Sequence, residues 1–64
     1  MERNEALIKA RKAKGFTQSD LAELMECQKT TISNWENGYA KPKLPDAFRL
    51  ADILEKKVDE IFFK

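Results

Sequence analysis

Apolar residues recur at helical spacing in five short segments of the chain, and polar residues, Gly or Pro separate the segments. This spacing predicts helices over about residues 4–13, 17–26, 29–37, 46–55 and 58–63. Both prolines lie between the third and fourth segments, where their missing N–H groups bar a helix interior. The pattern therefore predicts an all-α fold with a turn-rich connector over residues 39–45.

Polar residues at the segment starts and glycines at the segment ends supply helix boundaries. Asn4 can cap the first helix, and Thr17 with Asp20 forms a shorter-armed version of the capping box before the second. Gly15 and Gly38 can adopt the left-handed conformation that ends the first and third helices.

One edge of each segment is apolar, and these edges should form the core. The expected contacts are Leu7, Ala10, Leu21, Ala22, Met25, Ile32, Trp35, Phe48, Leu50, Ala51, Leu54, Val58, Ile61 and Phe62. Arg11 shares the edge that Leu7 and Ala10 form, so it should be partly buried.

The third segment has a second edge that is polar and almost uncharged. Five residues line it at helical spacing, Lys29, Thr30, Ser33, Asn34 and Asn37. Thr, Ser and Asn side chains can both donate and accept hydrogen bonds, which suits recognition of a specific partner. An ordinary solvated helix face is the alternative, and the edge alone does not separate the two.

Length and composition set the class of molecule. A chain of 64 residues, 42% of them apolar and 36% charged, fits one folded domain over residues 1–64. No run approaches the roughly 20 apolar residues of a membrane span, and no signal peptide is evident. The single Cys27 and the absence of His argue against disulfide, metal, cofactor and enzyme chemistry, and favour a reducing, cytoplasmic compartment.

Charge is informative in its distribution rather than in its total. The net charge is only +1, but Lys29, Lys41 and Lys43 surround the end of the third segment. A nearly neutral protein can therefore present one basic side to a partner. An earlier basic run, with Lys9, Lys12 and Lys14, is better explained as solvated surface.

Two short helices joined by about three residues form a helix-turn-helix. The motif here contains Gly15-Phe16-Thr17-Gln18, Leu21-Ala22, Ile32-Ser33 and Trp35-Glu36-Asn37-Gly38. Further matches are Arg11, Pro42, Leu50-Ala51, Leu54 and Asp59-Glu60-Ile61-Phe62. The set resembles the lambda-type phage repressors and Cro proteins over nearly the whole chain. The resemblance implies a compact five-helix lambda repressor-like DNA-binding domain, with the helix-turn-helix at helices 2 and 3.

The resemblance also implies that double-stranded DNA is the partner, bound by a homodimer at a palindromic operator. The implied DNA-binding residues are Gln18, Gln28, Lys29, Thr30, Ser33, Asn34, Asn37, Lys41 and Lys43. Gln18 would hold a phosphate and could also touch a base edge. Residues 28–34 of this set would face the major groove, and the last three would hold the sugar-phosphate backbone. Asn and Gln amides suit adenine, and Lys suits guanine. Gln28 could equally be only a helix entry residue.

Other implications concern the scaffold. By resemblance, Arg11 and Glu36 would form a partly buried ion pair. Glu26 stands where the family's turn usually has Gly, which is costly if the backbone there is left-handed. Glu55 and Lys56 replace a usual Gly and an apolar residue, so helix 4 should run longer or helix 5 should pack more loosely.

Two functions remain open at this point. The first is a transcriptional regulator, more specifically a repressor that occludes a promoter and is controlled by concentration, dimerisation or a regulatory protein partner. The second is a helix-turn-helix scaffold that binds mainly protein, as an antitoxin or co-regulator does, and the near-neutral charge leaves room for it.

Phe63 is a candidate dimer contact because it has no inward place beside Phe62.

Overall fold

A computed structural model describes residues 2–62 and contains five α-helices within them. They are α1 (Glu5–Ala13), α2 (Gln18–Met25), α3 (Lys29–Asn37), α4 (Leu44–Leu54) and α5 (Val58–Phe62). No strand occurs in this part of the chain, so the predicted all-α, five-helix class is confirmed. The proposed dimer contact at Phe63 lies outside the described residues. None of the described helices is long and apolar enough to cross a membrane.

All five helices contribute to one core. The largest fully buried side chains come from α1 to α4 and are Leu7, Leu21, Ile32, Leu50 and Leu54. Ile61 of α5 joins the same cluster. Full burial of one such side chain contributes about 1.5–3 kcal/mol, so this small core depends on each of its members.

Asn4 joins three parts of the fold. Its side-chain oxygen accepts a hydrogen bond from the N–H of Leu7 at 3.0 Å, which confirms the predicted cap of α1. Its side-chain nitrogen donates to the carbonyl of Ile61 at 3.1 Å. Its backbone N–H donates to the carbonyl of Glu36 at 2.8 Å. The start of α1 is thereby tied to α5 and to the last turn of α3.

The start of α2 is fixed by the predicted capping box. The hydroxyl of Thr17 accepts from the N–H of Asp20 at 3.0 Å, and the carboxylate of Asp20 accepts from the N–H of Thr17 at 2.9 Å. The Asp side chain is one methylene shorter than that of Glu, but its carboxylate still reaches the N–H of Thr17. These two hydrogen bonds define where the first helix of the helix-turn-helix begins.

Helix α4 departs from the sequence prediction at both ends. It begins at Leu44, two residues before the predicted start at Asp46, and it ends at Leu54. Pro45 is tolerated because N–H groups in the first turn have no partner inside a helix. The expected core contact of Phe48 was wrong, because its side chain is 58% exposed. The buried edge of α4 runs through Ala47 and its helical neighbours instead.

Two helices end at a Glu in the left-handed conformation. Both Glu26 after α2 and Glu55 after α4 have φ of 57°. The suspected left-handed turn at Glu26 is therefore present. Because Glu55 closes α4, the alternative of a longer helix 4 is wrong. Each carboxylate pairs with a cation that is distant in sequence: Glu26 with Arg49 of α4 at 2.9 Å, and Glu55 with Lys14, which follows α1, at 2.7 Å.

Candidate nucleic-acid interface

Helices α2 and α3 form a helix-turn-helix whose turn spans residues 26–28. The turn is closed by the N–H of Cys27, which donates to the carbonyl of Ala22 at 2.9 Å. One side of α3 is buried through Ile32, Trp35 and Glu36. The opposite side of α3 is therefore the one that the motif presents outwards.

The structure brings the five predicted polar residues of α3 together on that outer side. Lys29, Thr30 and Asn34 are exposed, whereas Ser33 and Asn37 are half-buried. The amide of Asn37 donates to the hydroxyl of Ser33 at 3.3 Å. Within residues 2–62, the side chains of Lys29 and Asn34 form no hydrogen bond, so their polar groups remain available to a ligand.

Gln28 precedes α3 but does not cap it. Its backbone is extended, and its side chain makes no hydrogen bond to the N–H groups of the first turn. Its amide oxygen accepts only a long contact of 3.4 Å from the hydroxyl of Thr30. The first and second helices have side-chain caps, so α3 starts with its backbone donors less covered than theirs.

Gln18 is the first residue of α2 and is half-buried beside the end of α3. Its amide nitrogen donates to Oε1 of Glu36 at 3.0 Å. The sequence does not show this contact, because the two residues lie 18 positions apart on different helices. The geometry places Gln18 at the same polar cluster as the buried ion pair.

The predicted ion pair between Arg11 and Glu36 is present and buried. Nε of Arg11 donates to Oε2 of Glu36 at 2.6 Å, and Nη2 donates to Oε1 at 3.2 Å. Arg11 also donates from Nη1 to the carbonyl of Phe16 at 2.8 Å. The guanidinium therefore connects α1 to the end of α3 and to the segment that leads into α2.

The connector between α3 and α4 carries Lys41 and Lys43. Both are exposed, and neither forms an ion pair with another described residue. Tyr39 lies in the same connector, is 65% exposed, and was not among the predicted site residues. Tyr39 lies between Asn37 and Lys41 in the sequence, and a Tyr hydroxyl can donate to a phosphate oxygen. This position could have identified Tyr39 as a candidate phosphate contact.

Cys27 lies in the turn of the motif and is half-buried. Burial raises the pKa of its thiol above the ordinary value of 9.0, and the nearby carboxylate of Asp46 raises the pKa further. A thiol in this environment stays protonated at neutral pH and is a poor nucleophile. Cys27 packs against the core, as a small apolar side chain does.

Comparison with known proteins gives one family. A family model described as Helix-turn-helix matches residues 7–61. The HTH-type transcriptional activator BcrR of Enterococcus faecalis is 34% identical over 61 residues, which cover 95% of this chain and 30% of that protein. The HTH-type transcriptional regulator AnsR of Bacillus subtilis is 32% identical over 57 residues, which cover 89% of this chain and 49% of that protein. The chain thus spans half or less of the length of these two relatives.

Two solved structures share the fold. The restriction-modification controller protein C.AhdI from Aeromonas hydrophila superposes with a TM-score of 0.82 at 29% identity, covering 92% of this chain and 89% of that one. A transcriptional regulator from Listeria innocua gives a TM-score of 0.81 at 27% identity, covering 95% of this chain and 59% of that one. The similarity therefore extends over nearly all of the present chain.

Proposed function

The chain belongs to the Helix-turn-helix family of transcriptional regulators, and on that premise we propose that it binds double-stranded DNA in a sequence-specific manner. In this proposal α3 enters the major groove with its outer side against the base edges. The observation that carries it is the outer side of α3, which is polar and nearly uncharged. The side chains of Lys29 and Asn34 on this side form no hydrogen bond with any residue from 2 to 62.

The proposed contacts divide into two groups. Gln28, Lys29, Thr30, Ser33 and Asn34 read base edges, because amide, ammonium and hydroxyl groups match donors and acceptors in the major groove. Gln18, Asn37, Lys41 and Lys43 hold the sugar-phosphate backbone, and we add Tyr39 to this group. The second group supplies affinity for any sequence, and the first supplies discrimination.

The proposed active species is a homodimer that acts as a repressor. Two copies related by a two-fold axis would place their α3 helices in successive major grooves about 34 Å apart, which requires a palindromic operator. Occupation of such a site blocks a promoter by steric exclusion. Since the relative BcrR is named as an activator, activation from the same DNA contacts is the competing outcome.

Selection from random duplex DNA tests the proposal. The protein is mixed with duplexes that carry a random central segment, bound duplexes are recovered and sequenced, and binding is then measured against salt. We expect an enriched palindrome and a steep loss of affinity with rising salt, because bound Lys residues release counterions from the phosphates. If no sequence is enriched, or if binding does not respond to salt, the protein-binding scaffold becomes the better explanation. A reporter gene behind the recovered site distinguishes repression from activation.

A further inference from the structure

Glu36 is almost completely buried, and both of its carboxylate oxygens accept hydrogen bonds. The residue is 2% exposed, and its Oε2 accepts from Nε of Arg11 at 2.6 Å. Its Oε1 accepts from two donors, Nη2 of Arg11 at 3.2 Å and the amide nitrogen of Gln18 at 3.0 Å. One buried acid thus serves an internal cation and a side chain at the start of α2.

The contact with Glu36 determines which way the amide of Gln18 faces. An ionised carboxylate only accepts hydrogen bonds, so the nitrogen of Gln18, and not its oxygen, must face Glu36. The second N–H of that amide is left without a partner among residues 2–62. A carboxamide with one N–H bound in this way cannot rotate freely to present its oxygen in place of its nitrogen.

The remaining N–H of Gln18 belongs to a wider group of donors at the start of α2. The capping box occupies the N–H groups of Thr17 and Asp20. Those of Gln18 and Ser19 form no hydrogen bond within the described residues. Free N–H groups at a helix start attract an anion such as a phosphate, and Gln18, the first residue of the helix, also carries a side-chain N–H donor.

Glu36 can stand beside an anion site because Arg11 neutralises it. The guanidinium makes two hydrogen bonds to the carboxylate and a third to the carbonyl of Phe16, at 2.8 Å. The pair carries no net charge, so it does not repel a phosphate. An unpaired buried carboxylate at the same position would do so strongly.

We propose that Glu36 is a positioning residue for DNA binding: its Oε1 holds the Gln18 amide with the second N–H directed at a backbone phosphate that lies over the start of α2. The inference rests on the proposed DNA binding and adds a role for the ion pair. Glu36 does not touch DNA, and it acts through the orientation of Gln18. The buried cluster and the DNA surface are coupled by one shared oxygen.

A first measurement uses the protein without DNA. The side-chain NH₂ group of Gln18 is observed by ¹H–¹⁵N NMR and assigned by its loss in Gln18→Ala. We expect its two protons to differ more in chemical shift than those of exposed amides such as Gln28, and one of them to exchange slowly with water. A Gln18 signal that resembles those of the exposed amides overturns the proposal. This NMR measurement does not depend on whether any Glu36 variant folds.

A second measurement uses the duplex recovered by selection and a double-mutant cycle. Glu36→Asp keeps the charge opposite Arg11 but withdraws the carboxylate from Gln18, and Glu36→Gln allows the Gln18 amide to turn. Each should weaken binding about 3- to 10-fold, the range for one hydrogen bond, in protein that circular dichroism shows to be folded. In the Gln18→Ala background the same changes should have almost no further effect. If Glu36→Gln does not fold, Glu36→Asp carries the measurement.

The outcomes separate this inference from the function on which it rests. Equal losses of affinity in both backgrounds mean that Glu36 acts only through stability, and they overturn the inference while DNA binding stands. A wild-type protein that binds no duplex overturns the proposed function and the inference together. If the Glu36 variants lose affinity for DNA only in the protein that retains Gln18, the result supports both the proposed function and the inference.

Discussion

Arg49 of α4 holds Glu26, the left-handed residue of the helix-turn-helix turn, through a hydrogen bond of 2.9 Å from Nη2 to Oε2. The same nitrogen donates to the carbonyl of Leu24 at 3.3 Å, at the end of α2. A left-handed backbone costs a non-Gly residue roughly 1–2 kcal/mol. The cation from α4 therefore offsets part of the strain in a turn that sets the angle between α2 and α3.

Glu26→Gly should change stability through two opposing effects. Glycine relieves the left-handed strain, roughly 1–2 kcal/mol, whereas loss of the exposed Arg49 pair costs only about 0–1 kcal/mol. We expect a small net gain in the free energy of unfolding, measured by urea denaturation. Glu26→Ala is the matched control, since it loses the pair and keeps the strain. The free energy of unfolding of Glu26→Ala should be about 1 kcal/mol lower than that of Glu26→Gly. Equal stability of the two variants would contradict this explanation.

Arg11→Ala should destabilise the fold strongly. The change leaves the carboxylate of Glu36 buried without its cation, which typically costs about 3–5 kcal/mol. A domain of this size has little more stability than that, so we expect a large drop in melting temperature or complete unfolding, followed by circular dichroism. Lys12→Ala, at the exposed next position, should stay within about 0.5 kcal/mol of wild type. An unchanged melting temperature for Arg11→Ala would rule out a structural role for the ion pair.

Acid should weaken the contact between α1 and the end of α4. A hydrogen bond from Lys14, with its positive charge, holds the pKa of Glu55 below the ordinary value of 4.5. A carboxyl group whose pKa is lowered on folding stabilises the fold above its unfolded pKa, and this contribution disappears as pH falls through the folded pKa. Wild type should therefore exceed Glu55→Gln in stability at pH 7, and the difference should shrink below pH 4.5.

Urea denaturation at pH 7 and pH 3 checks this prediction. Gln retains the side-chain length and a left-handed backbone, so the comparison isolates the charge. Because the pair is exposed, added salt at pH 7 should also reduce the difference. A difference between the two proteins that is independent of pH would show that the carboxylate charge is irrelevant.

Asn34→Ala should relax base preference at one position of each half-site. Its side chain is exposed on the outer side of α3, where an amide can bond to an adenine in two places. Loss of such a contact is worth about 1–3 kcal/mol of discrimination. Binding to duplexes that carry each of the four bases at every operator position measures it, and an unchanged preference at every position would remove Asn34 from the base-reading group.

Lys43→Ala should weaken binding to all sequences alike. The side chain is exposed in the connector and can reach a phosphate but carries no base information. The slope of log affinity against log salt is negative, and loss of one phosphate contact makes it shallower by about one. Lys9→Ala removes an equal charge on the exposed surface of α1 and should leave the slope unchanged. Equal changes in slope for both variants would indicate a general effect of charge.

The sequence predicted the helix caps, which depend on neighbouring residues, but missed the start of α4 and the exposure of one of its side chains. Asn4 and the Thr17–Asp20 box were predictable because caps act over three residues. The early start of α4 was not, because Pro45 breaks a helix interior but fits a first turn. The exposure of Phe48 depends on which flank of α4 the other helices cover, and the apolar pattern alone does not contain that information.

The site shows the same division. The polar side of α3 follows from helical spacing, so the sequence alone places its five residues on one side of the helix. The Arg11–Glu36 pair came from resemblance to a family, since nothing local connects residues 25 positions apart. The additional bond from Gln18 was missed, because it requires the crossing of α2 and α3 in three dimensions.

The hydrogen bond from Asn4 to Ile61 also has a consequence for the time at which the domain can close during synthesis. The two residues are 57 positions apart, and ribosomes add roughly 5–20 residues per second. The first helix therefore waits on the order of 3–11 s for the residue that completes its junction with α5. A nascent chain that already contains all of α3 still lacks this tether, so α3 is complete in sequence before the junction between α1 and α5 can form.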